Sequence, residues 1–215
     1  MKAVLFDFDG TLVHLPIDYV RARRRLKELF SRFGVKSNFH PLLGSIEDSL
    51  SELKNEGLPK TLVKEIRRKA YAIINEEERL SMEGARPVDR ARETLTVIKE
   101  KRLKFAIVSR NGTECVKKCI SKLNLPEPDL VVAREDAKKL KPDPQQLTTT
   151  LKKLRLKRDE VIMVGDSRHD IVAGKGAGII TVLFAPKKKR AEIELAPDHV
   201  ISDLPEVLNL LRERL

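Results

Sequence analysis

Tryptophan is absent from the 215 residues, and cysteine occurs only twice. Two thiols are too few for a disulfide-stapled scaffold, and buried thiols are favoured over a metal or redox pair. Cys115 and Cys119 stand four apart and share an apolar helical stripe with Val116, Ile120 and Leu123, so they read as buried side chains. Aromatic residues make up only 4% of the chain, which leaves few platforms for stacking the bases of a single strand. No apolar run approaches the length needed to span a bilayer. Met1 leads almost at once into a core-like strand, so no signal peptide is expected and a cytoplasmic setting is. Repeats are lacking, and the one low-complexity tract is Lys187-Lys188-Lys189-Arg190.

What the chain does have is charge: 35% of it is Asp, Glu, Lys or Arg, with a net charge of +11 and a pI near 9.7. Such a surface attracts phosphate-bearing molecules, from small metabolites to nucleic acid. The cations are spread over many helices and mixed with Glu, which favours solubility and steering of a small anion over a dedicated nucleic-acid surface. The Lys187–Arg190 tract follows the last core strand and reads either as a solvated face or as a basic rim on the ligand-binding edge. A hydrophobic content of 41% is enough for a sizeable core.

Periodicity divides the chain. Ala3 to Phe6 is an unbroken apolar run, as in a central parallel strand covered on both faces. It ends in Asp7-Phe8-Asp9-Gly10-Thr11. Alternation in an extended chain turns Asp7 and Asp9 one way and Phe8 the other. His14-Leu15-Pro16 reads as a linker. Three helical stripes follow: Tyr19 to Phe33, a second with a Ser45/Asp48 capping-box start, and a third running out near Met82. From Val88 strands alternate with helices: strands at Phe105–Val108, Leu130–Ala133, Val161–Val164 and Ile179–Phe184, a short extended piece near Val200, then a terminal helix. This is an α/β pattern, a Rossmann-like doubly wound parallel sheet over residues 1–14 and 85–215, interrupted by an all-helical insert at 15–84.

Three strands end in polar residues, Asp7, Ser109 and Asp166, and in a parallel sheet these ends share one edge. Ser109-Arg110-Asn111-Gly112 enters a helix, so its hydroxyl and the helix N–H groups suit phosphate oxygens. Gly165-Asp166-Ser167-Arg168-His169-Asp170 adds two carboxylates four apart. With Asp7 they make an oxygen-rich cluster that repels itself without a cation, and hard oxygen ligands favour Mg²⁺. Lys141, between Leu140 and Pro142, offers an ammonium to the charge shared by a carboxylate and a phosphoryl group.

In order and spacing these motifs resemble those of the haloacid-dehalogenase-like (HAD) hydrolases: DxDGT at Asp7–Thr11, a Ser at the end of the second core strand, a Lys before a helix, then GDxxxD at Gly165–Asp170. The resemblance implies a C1-type helical cap for the insert and a group akin to phosphoglycolate phosphatases. It implies that Asp7 is the nucleophile and becomes an aspartyl-phosphate, that Asp9 is the general acid and base, and that Ser109 and Lys141 hold phosphoryl oxygens, with Arg110 and Asn111 at the rim. It further implies Mg²⁺ held by Asp7, the Asp9 carbonyl and Asp166, with Asp170 bound through water or acting behind the ligands. The expected activity is a Mg²⁺-dependent phosphatase for a small phosphomonoester of phosphoglycolate type. Alternatives are a phosphomutase of β-phosphoglucomutase type and a nucleic-acid-associated phosphatase or binder. Two positions depart from the pattern: His14-Leu15 replaces the Asp-Ser pair usual in relatives with small helical caps, and Arg110 replaces the usual Asn. In the insert, the Ser37–Ser45 connection with His40 is the expected specificity loop, and His14 and His169 are candidates for touching substrate.

Overall fold

In the computed structural model, which describes residues 1–186 and 196–212, the apolar run after Lys2 forms a strand, β1 (Ala3–Phe6), with all four residues fully buried. A strand covered in this way needs partners on both edges. It pairs in parallel with β4 (Lys104–Val108) on one side and β6 (Val161–Gly165) on the other. Beyond β4 lies β5 (Leu130–Val132); beyond β6 come β7 (Ile180–Phe184) and β8 (His199–Ile201). The sheet order is β5-β4-β1-β6-β7-β8, parallel throughout. The chain builds outward from β1 one way, returns, and builds outward the other way. The crevice beyond the carboxyl ends of β4, β1 and β6 is therefore the place where ligands bind in open α/β sheets.

Helices cover both faces. Leu147 of α6 (Gln145–Leu154) and Ala173 of α7 (Arg168–Ala177) pack on the face that carries Ala3, Leu5, Ala106 and Met163. On the opposite face Phe6 meets Phe105 edge-on at 6.5 Å, and Lys99 of α4 (Ala91–Glu100) lies 5.5 Å over the Phe105 ring. Burying each such ring contributes roughly 2–3 kcal/mol. Both Cys115 and Cys119 are buried on α5 (Thr113–Lys122). The last helix, α8, is Val207–Arg212.

Two local readings need correction. His14, expected to begin a linker, instead ends a short strand (β2, Val13–His14) paired antiparallel with β3 (Arg86–Pro87). Two-residue strands carry no periodicity, and this one is specified by a partner more than seventy residues away. The second helix of the insert, α2 (Leu42–Asn55), begins directly after Pro41 and not at Ser45, which is buried within it. A proline just ahead of the first turn overrides the capping-box pattern.

The chain divides into two compact units, Met1–Leu15 with Gly84–Leu215, and Pro16–Glu83. The second holds α1 (Tyr19–Ser31), α2 and α3 (Lys60–Ser81), and no strand among its residues. Phe39 is fully buried at φ 53° and packs on Phe30 at 5.2 Å, which anchors the connection between α1 and α2. Beside it the exposed His40 has Nδ1 3.4 Å from Arg23 Nη2. No helix among the described residues is long and apolar enough to cross a membrane. The Lys187–Arg190 tract lies outside the described residues.

Candidate active site

The backbone of Asp7 continues β1 by one bond, donating its N–H to Val164 O at 2.9 Å. Phe8 then turns inward and is fully buried, and the chain coils back: the N–H groups of Thr11, Leu12 and Val13 all converge on Phe8 O. Asp9 is held in this coil by Leu15 N–H, 3.0 Å from its Oδ1. Gly10 is required twice over. Its φ is +88°, and a Cβ there would overlap the Asp166 carboxylate.

At the end of β4, Ser109 is fully buried, and its Oγ donates to Asn111 Oδ1 at 2.9 Å while accepting from Asn111 N at 3.1 Å. Asn111, expected at the rim, is itself buried and spends its side chain on Ser109. The helix N–H expected to meet phosphate is also engaged. Thr113 N and Oγ1 both donate to Glu135 Oε2 at 2.9 Å, so this carboxylate caps α5. Arg110 is half-buried.

Lys141 reaches the same edge from the connection after β5. Only 1% of it is exposed, and its Nζ donates to Asp7 Oδ1 at 2.8 Å, Asp170 Oδ1 at 2.6 Å and Val108 O at 2.6 Å. All three ammonium hydrogens are thereby directed. Asp170 is fully buried. Its Oδ1 faces Lys141, and its Oδ2 accepts from Ser167 N at 3.1 Å and Ser167 Oγ at 2.5 Å. Ser167 and Asp170 thus form the capping box that starts α7. Gly165 makes room for this fold-back, since a Cβ on it would overlap the Asp170 side chain.

The electrostatics follow from too many acids in one dry place. Burial and the neighbouring Asp170 push Asp7 up from 3.8 to about 6, against the pull of Lys141. Burial, then Asp7, Asp170 and Asp9, push Asp166 up from 3.8 to about 7. Burial pulls the Lys141 pKa down, but Asp170 and Asp7 outweigh it and the ammonium is held more tightly than usual. His169, half-buried, is driven the other way, toward neutrality, by burial and by Arg110. One ligand oxygen each from Asp7, Asp166 and Asp170 lie within 4.8 Å of one another. This all-oxygen, anion-rich donor set fits a hard divalent cation, whose charge would relieve the mutual repulsion.

The structure therefore brings Asp7, Asp166, Asp170 and Lys141 together, with Ser109 and Asn111 at the end of the adjoining strand. His14 stands exposed on β2 opposite Arg86, and His40 belongs to the helical unit. Sequence reasoning missed Gln146, whose amide is fully buried between the Ser109 and Lys141 loops, and Arg134, buried against Arg110 O at 3.1 Å. Neither sits in a recognisable pattern. Ser167-x-x-Asp170 did carry a readable signal, the capping box.

Residues 4–184 match the family model described as haloacid dehalogenase-like hydrolase. Pyrophosphatase PpaX of Halalkalibacterium halodurans is 28% identical over 216 residues, which cover 98% of this chain and 97% of that protein. Among solved structures, a hydrolase from Pseudomonas syringae aligns with a TM-score of 0.69 at 23% identity, covering 99% of each chain. A predicted phosphoglycolate phosphatase from Haemophilus somnus 129pt aligns at 0.67 and 18% identity, covering 98% of each. These last two likenesses concern the fold.

Proposed function

This chain belongs to the haloacid dehalogenase-like hydrolases, and we propose that within them it is a Mg²⁺-dependent phosphatase of the cytoplasm, hydrolysing a small phosphorylated metabolite through an aspartyl-phosphate. The observation that carries the reading is the Lys141 ammonium clamped between Asp7 Oδ1 and Asp170 Oδ1 at the mouth of the central strands.

In the first step the Asp7 carboxylate attacks phosphorus, and the bond to the leaving oxygen breaks as Asp9 delivers its proton. In the second, Asp9 takes a proton from water, the water oxygen attacks phosphorus, and phosphate leaves with regeneration of the Asp7 carboxylate. Ser109 and Lys141 are assigned to the transferring oxygens, Ser109 once its hydroxyl turns from Asn111 and Lys141 through the charge it keeps beside Asp7, which offsets negative charge as it accumulates. Asp7, Asp166 and the Asp9 carbonyl would hold Mg²⁺, which supplies charge neutralisation for the phosphoryl group when bound. Both oxygens of Asp170 are engaged, by Lys141 and by Ser167, so its role is to aim the ammonium. The helical unit, Pro16–Glu83, is assigned as the cap.

For the substrate we favour a phosphoryl group on a small, itself anionic remainder. Pyrophosphate and phosphoglycolate, the substrates named by the relatives' descriptions, share that chemistry. Arg110, where the family pattern has Asn, supports it by placing a cation close enough to add to burial in lowering the pKa of His169, beside Asp170. A panel of inorganic pyrophosphate, phosphoglycolate, sugar phosphates and p-nitrophenyl phosphate, each with Mg²⁺ and with EDTA, tests the reading. Release of inorganic phosphate that EDTA abolishes and Asp7→Asn eliminates is expected. A rearranged sugar phosphate would instead mark a mutase, and turnover surviving Asp7→Asn would remove the nucleophile.

A further inference from the structure

Four consecutive carbonyl oxygens at the end of β4 are each met by a donor from one stretch of chain, Arg134 to Gln146. Val108 O accepts from Lys141 Nζ at 2.6 Å, Ser109 O from Gln146 Nε2 at 2.7 Å, Arg110 O from Arg134 Nη1 at 3.1 Å, and Asn111 O from Arg134 N at 3.0 Å. Within this series Gln146 bridges three backbone segments with one amide. Its Nε2 also donates to Ala133 O at 3.2 Å, and its Oε1 accepts from Lys141 N at 3.0 Å. Only this orientation of the amide matches donors with acceptors, so the network itself assigns it. The side chain is fully buried.

We infer that Gln146 is a positioning residue for phosphoryl transfer, one rigid amide that sets the backbone carrying Ser109 against the backbone carrying Lys141. The inference rests on the function proposed above. Two consequences of its geometry matter for an anionic substrate. The oxygen ends of the peptide groups around Ser109 are drawn toward Gln146 and Arg134. The separation of the Ser109 hydroxyl and the Lys141 ammonium is also fixed by a planar group instead of by two loops. Misplacement of such groups by about 1 Å costs roughly 100-fold in rate.

Gln146→Met keeps the length of the side chain and removes all three hydrogen bonds; Gln146→Glu keeps an acceptor for Lys141 N. Steady-state kinetics on the best substrate of the panel, thermal unfolding and hydrogen–deuterium exchange are compared with the wild type. Positioning predicts a roughly thirtyfold fall in kcat for Gln146→Met with KM changed by less than about threefold, while the protein stays folded at the assay temperature. It predicts partial recovery in Gln146→Glu only at acid pH, where a protonated carboxyl can still donate to Ser109 O, and, in Gln146→Met, faster exchange confined to the Ser109–Asn111 and Lys141 backbones. An unchanged kcat, or a kcat that falls only with the folded fraction, would overturn it. If the wild type hydrolyses nothing in the panel, the proposed function fails separately, and exchange still decides. A local rise at the two loops supports positioning, and no rise, or one spread along α6, rejects it.

Discussion

Glu77 in the helical unit and the Asp7–Lys141–Asp170 group in the core are both buried charge clusters, assembled with opposite balance. The Glu77 carboxylate is wholly buried, yet Arg21 reaches its Oε2 at 2.6–2.7 Å and Arg25 its Oε1 at 2.9 Å. Two guanidiniums answer one acid, and their side chains remain 39% and 37% exposed, so the cations stay partly hydrated. In the core a single ammonium, 1% exposed, faces Asp7 and Asp170, with Asp166 close by. The first arrangement is complete in itself. The second leaves Asp7 and Asp166 with raised pKa values, which is how a site awaiting a cation and a phosphoryl group differs from a structural ion pair.

Removing an acid should therefore do opposite things in the two places. In the core, Asp7→Asn is expected to lower kcat by at least about 10⁴-fold and to raise the melting temperature of the metal-free protein, because an oxygen still meets Lys141 while one repelling charge is gone. Paired kinetics and calorimetry check both halves; a melting temperature that falls would mean that the core acids are as well compensated as Glu77. Glycines sharpen the contrast. Gly10 and Gly57 share φ +88°, but a Cβ on Gly10 meets the Asp166 carboxylate and one on Gly57 meets nothing within 4 Å. Gly10→Ala should cost roughly 100-fold in kcat/KM. Gly57→Ala should cost only about 1 kcal/mol of stability, the ordinary penalty of left-handed backbone, with kcat unaltered.

Acidity separates the regions further. Asp7 and Asp166 bind protons more tightly folded, near 6 and 7, than unfolded, near 3.8. Their contribution to stability is thus fully present below pH 3.8 and is lost as pH rises through 6 and 7. In EDTA the melting temperature should decline between pH 4.5 and 7.5, and Asp166→Asn should flatten that decline. Added Mg²⁺ binds the ionised, folded form and should restore stability at the upper end. A profile that stays flat in EDTA would show that the core acids carry no uncompensated charge.

The strands and the polar ends of three of them were legible because both signals are local: an apolar run, then Asp7, Ser109 or Asp166 where the run stops. A parallel sheet converts those local signals into one edge, so the convergence of these strand ends could be read without contacts. What lay beyond reading depends on distant partners. Lys141 was readable as a site candidate from its place before a helix in the motif order, but its partners were not, since Asp7 comes from 134 positions away. Gln146 and Arg134 look like ordinary polar residues, Glu77 like one of three consecutive glutamates, and Asn111 like a rim residue although it is buried on Ser109. Val13–His14 is a strand only because Arg86–Pro87 lies beside it.

An effect on stability with little on turnover tests the structural side of the contrast. Glu77→Gln keeps the shape of the side chain but removes the charge shared by Arg21 and Arg25, two contacts that join α1 to α3. The amide nitrogen would then point a donor at one guanidinium, so at least one of the two bonds is lost as well as the charge. The melting temperature should fall by about 5 °C with no dependence on Mg²⁺, and kcat per folded molecule should stay within about twofold of wild type. Arg21 sits at a raised pKa because of its hydrogen bond to Glu77 and stays charged at any working pH, so the loss should be uniform from pH 5 to 8. A loss that grew with pH or vanished in Mg²⁺ would mean that the helical unit's ion pair is coupled to the core acids, and the separation drawn between the two regions would have to be given up.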